Sequence, residues 1–137
     1  MKTRPVLTQE DCLKISAAAE AEARRNNWNV CIAILDDGGH LLHFVRMDGA
    51  TPANAGIAVE KGRTAAISRR ASGKWQDIVK SGRTEMIKMP GILPVQGGLP
   101  IIVDKVCVGA VGVSGVQSHE DDVIAQAGID ALLGKAS

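Results

Sequence analysis

The stretch VCIAIL, residues 30–35, is the feature of this sequence that most limits the folds open to it. Six consecutive apolar residues predict a β-strand buried on both faces, because a strand with one solvated face alternates apolar and polar residues. A sheet that contains such a strand needs a further layer on each side. The following DDGG provides a tight turn, and HLLHFVRM (40–47) is predicted to return as the second strand of a hairpin.

Two helices are predicted on either side of this hairpin. The first begins after Thr8, whose hydroxyl is expected to form a capping box with Asp11. The second begins at Thr51, with proline at its first position, and runs to about Arg70. One side of the second helix is made of alanine and glycine, which suits close packing against a sheet or another helix.

The rest of the chain alternates short elements with glycine. Residues 71–91 are predicted to be short helical pieces that form a flexible or lid-like segment. ILPVQGG, LPIIVDK and VCVGAVGVSG (92–115) are predicted to be three strands, followed by a helix from Ser118, with Asp121 in its capping box, to a stop at Gly134. The prediction for 1–137 is therefore a single α+β domain with an antiparallel sheet of about five strands.

The scarcity of large side chains predicts self-association. Aromatic residues make up 2% of the sequence and tyrosine is absent, so Val, Ile, Leu, Ala and Gly must fill the core. Small side chains bury little apolar area each, at about 25 cal/mol per Å². A homo-oligomer would remove further apolar area from water.

Charge and cysteine usage exclude several classes of function. The net charge is +1 without a long basic run, which argues against nucleic acid as a partner. The apolar runs are shorter than the roughly 20 residues that span a bilayer, and the N-terminus lacks the apolar stretch of a signal peptide. Three cysteines within apolar segments indicate reduced thiols of a cytoplasmic protein.

Polar residues in the second strand of the hairpin are the first candidates for a ligand site. His43 shares one strand face with large apolar residues, so it is either a ligand for a metal or haem iron, or a core or interface histidine bonded to a backbone carbonyl. Arg46 and Asp48 follow where the strand leaves the sheet. Arg46 is either paired with Asp48 or Glu60, or is a fork for a ligand carboxylate.

Further candidates lie in the helices and in the segment 71–91. Lys61 lies near the smooth side of the second helix, while Arg83 and Glu85 either close over a pocket or form a surface ion pair. Glu60, Glu85 and His119 are the candidates for a general acid or base if the protein is an enzyme. The glycine-rich loop GVSGVQSHEDD matches neither a P-loop nor a dinucleotide fingerprint, so helix capping is its predicted role.

The blocks DDGGHLLHFVRMDGA, AVEKGRTAA, GGLPIIVDKVCVGAVGVSG and DDVIAQAGIDAL together resemble the GlcG/HbpS family. The resemblance extends from about Leu7 to Leu133. The family includes a protein encoded with glycolate-utilisation genes, a secreted haem-binding sensor component and the C-terminal domain of a corrinoid adenosyltransferase. It implies a profilin-like fold and homo-oligomers, from dimers to octamers.

Three hypotheses for the function follow from the residues and the resemblance. In the first, a haem-like tetrapyrrole or another small ligand binds near residues 43–48 at a subunit boundary, with His43 as axial ligand of the iron and 71–91 as cover. In the second, a cofactor-independent lyase, isomerase or hydrolase acts on a small organic acid or aldehyde of a catabolic pathway, with Arg46 and Arg83 holding a carboxylate. In the third, the chain is a structural or assembly protein.

Overall fold

The apolar run at 30–35 forms the inner part of an antiparallel sheet, as its sequence predicts. The structure is a computed structural model and describes residues 1–135. The sheet has the strand order β2-β1-β4-β3. Its strands are β1 (Cys31–Asp36), β2 (Leu41–Arg46), β3 (Gly98–Val103) and β4 (Val106–Ser114).

Helices cover both faces of this sheet. They are α1 (Gln9–Arg25), α2 (Ala53–Ser68), α3 (Ser72–Lys80) and α4 (Ser118–Leu133), with a short 3₁₀ helix (Thr84–Lys88) after α3. Ile32 and Ile34 of β1 pack in the larger core with side chains of α1 and α4. Ala33 and Leu35 point to the other face and pack against Ala58 of α2. The apolar residues of β1 are thus buried on both sides.

Helix α2 lies unusually close to the sheet because glycines face each other. A Cβ atom on Gly112 of β4 would overlap the carbonyl oxygen of Ala58, and one on Gly62 of α2 would overlap the side chain of Leu35. The helix and the strand can approach this closely because glycine has no Cβ atom. It places the side chain of Lys61, next to Gly62, at the end of β4.

The prediction of about five strands is wrong for the described residues, because residues 92–97 form a loop before β3. Its backbone groups bond to side chains of the neighbouring helices. The N–H of Leu93 donates to the hydroxyl of Thr64 at 2.8 Å, and the N–H of Gln96 donates to the amide oxygen of Gln76 at 3.0 Å. These bonds replace the strand pairing that the apolar pattern suggested.

The ends of α2 and the capping residues of α4 differ from their predictions. Helix α2 begins at Ala53 and ends at Ser68, where Arg69 adopts a left-handed conformation. Helix α4 does begin at Ser118, but Gln117 and Glu120 form its capping box in place of the predicted Asp121. The carboxyl group of Asp121 faces the protein interior, where it meets a buried lysine.

Other local predictions are confirmed. Thr8 and Asp11 form the predicted capping box, and Gly134 ends α4 with a φ of 70°. The segment 71–91 contains two short helical pieces, as its glycines suggested.

Among the residues described, no helix has the length and apolar character to cross a membrane. The α+β class is confirmed, while the profilin-like likeness stays a prediction. Residues 136 and 137 of the predicted single domain lie outside the described part.

Candidate functional site

Lys61 is buried at the interface between α2 and the sheet. Its side chain is 2% exposed, and the ammonium nitrogen Nζ donates to the backbone oxygen of Val113 at 3.1 Å. The same nitrogen lies 2.9 Å from Oδ2 of Asp121. A Cβ atom on Gly97 would lie 2.7 Å from Nζ, so glycine at this position makes room for the ammonium group.

Asp121 completes a buried ion pair from the first turn of α4. Its side chain is 1% exposed, and Oδ1 accepts the N–H of Val116 at 3.3 Å. Burial raises the pKa of this carboxyl group from 3.8 to about 6, although the neighbouring Lys61 favours the charged form. Loss of hydration therefore outweighs the attraction of the ammonium group.

Asp122, the next residue, is a second carboxylate with restricted hydration. Its Oδ2 accepts the side-chain amide of Gln96 at 2.7 Å. Its Oδ1 is buried and has no hydrogen bond of ordinary geometry among the described residues, although the N–H of Gly97 is near enough to favour the charged form. Burial raises the pKa of Asp122, with the Gln96 bond acting in the opposite direction.

A polar cavity of about 190 Å³ opens beside Asp122, and we call it the Asp122 cavity. It lies between the start of α3, the loop before β3 and the start of α4. Its lining residues are Ala71, Gly73, Lys74, Asp77, Gln96 and Asp122. The cluster Lys61–Asp121–Asp122 behind it has one cation and two carboxyl groups. A ligand that donates hydrogen bonds or carries positive charge suits such a surface.

The structure places His43 between β2 and α1. The side chain is half-buried, and its Nε2 lies 3.1 Å from the hydroxyl oxygen of Ser16. His43 is therefore bonded to a side chain rather than to the backbone carbonyl that one interpretation predicted. His40 and His119 are both exposed.

Arg46 and Asp48 lie on the surface at the end of β2. The first of the two alternatives for Arg46, an ion pair with Asp48 or Glu60, is not what the structure has, because the outer strand of the sheet leaves the Arg46 side chain exposed. Neither Asp48 nor Glu60 forms an ion pair with it among the described residues. Glu60 pairs with Arg63 of its own helix instead.

The remaining predicted residues are spread over the surface. Arg83 and Glu85 form an exposed ion pair of 3.4 Å at the 3₁₀ helix, the simpler of the two alternatives. Glu60, Glu85 and His119 stand on three different helices, and no hydrogen bond or ion pair joins them within the described chain. Lys61 is the one predicted site residue that belongs to the buried cluster.

Sequence reasoning missed Gln96 and Asp122 and assigned Asp121 to capping. A signal for part of this cluster was present, because Lys61 stands between Ala58, Gly62 and Ala65 on the apolar side of its helix. A lysine on that side is expected to have a carboxylate partner in the fold. The sequence does not say which of fifteen acidic residues supplies it.

The fold and the cluster define an α+β protein with helices on both faces of a four-stranded sheet and a buried charged group next to a polar cavity. Residues 7–130 match the family described as haem degrading protein HbpS-like. The chain is 46% identical to Protein GlcG of Escherichia coli (strain K12) over 114 residues, which cover 83% of this chain and 85% of GlcG. The chain therefore belongs to the HbpS-like family, as the sequence resemblance indicated.

Solved structures show the same fold. A double mutant of HbpS from Streptomyces reticuli matches with a TM-score of 0.88 and 28% identity, over 96% of this chain and 90% of that one. The complex of PduOC with heme matches with a TM-score of 0.85 and 26% identity, over 93% of this chain and 95% of that one. The second structure shows that a relative with this fold binds heme.

Proposed function

We propose that this protein binds haem or a related tetrapyrrole as a homo-oligomer, with the site at the outer edge of β2. The observation that carries the proposal is the placement of His43 among its neighbours. It is the half-buried histidine of the three in the sequence. Imidazole is a common axial ligand of haem iron. The HbpS-like family and the heme complex of PduOC support the same ligand class.

The donor atoms at β2 fit a haem iron, and the hydrogen bond to Ser16 is part of that fit. A metal-ligating histidine usually donates its second ring nitrogen to a neighbouring acceptor. In the tautomer with the proton on Nε2, the hydroxyl oxygen of Ser16, 3.1 Å away, would be that acceptor, and Nδ1 would keep the lone pair for the iron. When bound, the haem group supplies the iron chemistry, while His43 and Ser16 fix its position.

The size of the tetrapyrrole ring favours a site shared between two subunits. Four surface cavities of the described chain have volumes of about 190–260 Å³, below the roughly 300 Å³ at which ligand pockets begin. Next to His43, the side chains of Leu41 and Leu42 are 50% and 45% exposed. A second subunit against β2 would enclose an apolar ring between these leucines and its own surface.

The polar residues around this edge have roles in the same proposal. Arg46 and Asp48 at the end of β2 would contact carboxylate and donor groups of the tetrapyrrole. Arg83, in the segment after α3, would belong to a cover that closes over the ligand. The ammonium group of Lys61 already binds Asp121, so its contribution is to the packing behind the site. A cytoplasmic location and a link to small-molecule catabolism complete the proposal.

Titration of the purified protein with haemin tests the proposal. We expect a saturable Soret shift in the wild type, and its loss or displacement in His43→Ala. The exposed histidines provide matched controls, since His40→Ala and His119→Ala should retain the wild-type spectrum. A wild type without a Soret shift, or a His43→Ala variant with an unchanged one, would refute the assignment.

A further inference from the structure

We propose that a basic surface within residues 67–91 binds the face of a membrane that contains anionic lipids. The surface is formed by α3, the 3₁₀ helix and the end of α2, and we call it the α3 surface. It lies beside β3, since the hydroxyl oxygen of Ser72 accepts the N–H of Gly98 at 2.8 Å. Because β3 and β2 are opposite edges of the sheet, this site does not depend on tetrapyrrole binding at β2.

The charge of the protein is unevenly distributed along the chain. Residues 69–88 contain six arginines and lysines and two acidic residues, a net charge of +4, while the whole chain has +1. The remaining residues therefore carry a net charge of −3. The six cationic side chains are all exposed: Arg69, Arg70, Lys74, Lys80, Arg83 and Lys88. A local excess of positive charge on a nearly neutral protein favours a negatively charged partner at that surface.

Most of these cations have no acidic partner within the described chain. Arg83 pairs with Glu85 at 3.4 Å, and Arg69 lies 3.9 Å from Asp37, both on the surface. Arg70 and the three lysines form no ion pair with any acidic residue that the structure describes. Their charges are therefore balanced by solvent and salt alone, and an anionic surface can replace both.

Exposed apolar side chains lie among the unpaired cations. Ile87 is 56% exposed and Met89 is 41% exposed, one on either side of Lys88. Ile67 at the end of α2 is 40% exposed and packs against Gly91, two residues after Met89. Proteins that bind a membrane from one side place apolar side chains at the acyl boundary and cations at the anionic headgroups. Such binding needs no helix that crosses the bilayer.

The residue types favour a lipid surface over an acidic protein. Three of the four unpaired cations are lysines, and lysine is depleted at protein–protein interfaces, where arginine and aromatic residues are enriched. Trp75, the aromatic residue of this segment, is half-buried and its Nε1 donates to the hydroxyl of Ser68 at 3.0 Å. Its ring is thus used in packing α3 against α2. A lysine ammonium group on a flexible stem binds phosphate as a point charge and needs no fixed geometry.

Sedimentation of the full chain with vesicles tests the proposal. We expect binding to vesicles of equimolar phosphatidylglycerol and phosphatidylcholine, and no binding to phosphatidylcholine alone. A cation near an anionic membrane contributes about 1 kcal/mol, which is about fivefold in affinity. The triple variant Lys74→Gln/Lys80→Gln/Lys88→Gln should therefore need about a hundredfold more anionic lipid for half-maximal binding. Ile87→Ser should weaken binding about tenfold, since an apolar side chain is lost from the acyl boundary.

Matched variants outside the α3 surface are the controls. Lys2→Gln/Lys14→Gln/Lys105→Gln removes the same charge from exposed positions and should bind as the wild type does. Val123→Ser on α4, where the valine is 47% exposed, is the corresponding control for Ile87→Ser. No binding to the anionic vesicles, equal binding to both kinds of vesicle, or equal losses in the two triple variants would each overturn the proposal, whatever haemin does. Binding to soluble polyglutamate but not to vesicles would overturn it too and would assign the surface to an acidic protein.

Discussion

Lys61 has the largest of the fully buried side chains in the described residues. Removing its charge from water is costly, and the bond to Asp121 offsets that cost without a large net gain. The pair is therefore expected to matter most when one partner is lost. Its two contacts on β4 and α4 also tie helix α2 to both elements.

Replacement of one partner should be much worse than replacement of both. At pH 7, Lys61→Met is expected to lower the free energy of unfolding by about 3–5 kcal/mol, since Asp121 is left as an unpaired buried carboxylate. The double variant Lys61→Met/Asp121→Leu should be as stable as the wild type or more stable. Denaturant unfolding at one protein concentration measures both values.

The exposed pair Arg83–Glu85 provides the control for this comparison. Its side chains are 59% and 65% exposed, so Arg83→Met should change the stability by less than about 1 kcal/mol. If Lys61→Met and Arg83→Met lowered the free energy of unfolding by equal amounts, the buried pair would have no special energetic role.

The raised pKa of Asp121 predicts a pH dependence of stability. A folded-state pKa of about 6 against an ordinary 3.8 means that the folded protein holds this proton more tightly. The stabilisation is complete below pH 3.8 and is lost as the pH rises through about 6. At 1.36 kcal/mol per pH unit, the difference corresponds to roughly 3 kcal/mol.

The double variant Lys61→Met/Asp121→Leu lacks this titrating group. We therefore expect it to gain roughly 3 kcal/mol relative to the wild type between pH 4 and pH 7, measured by unfolding at a series of pH values. A ¹³C titration of the Asp121 carboxyl should give a midpoint near 6 in the wild type and a higher one in Lys61→Met. A stability difference that is constant with pH would contradict the prediction.

At the scale of the elements, the contact between α2 and the sheet depends on two of the glycines. Gly62 lies against Leu35 and Gly112, whereas Gly56 of the same helix has no atom within 4 Å of an added Cβ. Gly56 and Gly62 lie on the same helix and differ in their packing. Alanine substitutions at Gly56 and Gly62 therefore distinguish the conformational cost of glycine in a helix from the benefit of close packing.

Gly56→Ala is expected to stabilise the protein by about 0.5–1 kcal/mol, because alanine loses less conformational freedom in a helix. Gly62→Ala should destabilise it by about 1–3 kcal/mol, since the new methyl group overpacks the contact with Leu35 and β4. Thermal and denaturant unfolding measure both effects. If both variants were stabilised, the close approach of α2 would not be required.

The elements themselves were largely predictable because their signals are local. The capping box of Thr8 and Asp11 and the continuous apolar run of β1 each depend on a few neighbouring residues. The loop at 92–97 was mistaken for a strand because its partners, Thr64 and Gln76, are distant in sequence. Lys61 and Asp121 are 60 residues apart in the sequence. Their pairing could therefore be identified only once the fold had brought α2 and α4 together.

At the scale of the whole molecule, the two edges of the sheet differ. The edge strand β3 contains Pro100, which lacks the N–H group that an added strand would use. The other edge strand, β2, has no proline and exposes Leu41 and Leu42. An open, apolar edge strand favours association with another chain. This edge is the surface at which the scarcity of large core residues is expected to be compensated by self-association.

The double variant Leu41→Lys/Leu42→Lys should therefore lower the assembled mass while leaving the far-ultraviolet circular dichroism unchanged. Burial of a leucine contributes about 1.5–3 kcal/mol, so the loss of both should raise the dissociation constant roughly a hundredfold or more. Sedimentation equilibrium at several protein concentrations measures the change. Leu13→Lys on α1, where the leucine is 53% exposed, is the control and should keep the wild-type mass. The prediction would be wrong if the wild type were monomeric, or if Leu13→Lys lowered the mass and the double variant did not. Either result would mean that β2 does not form the interface.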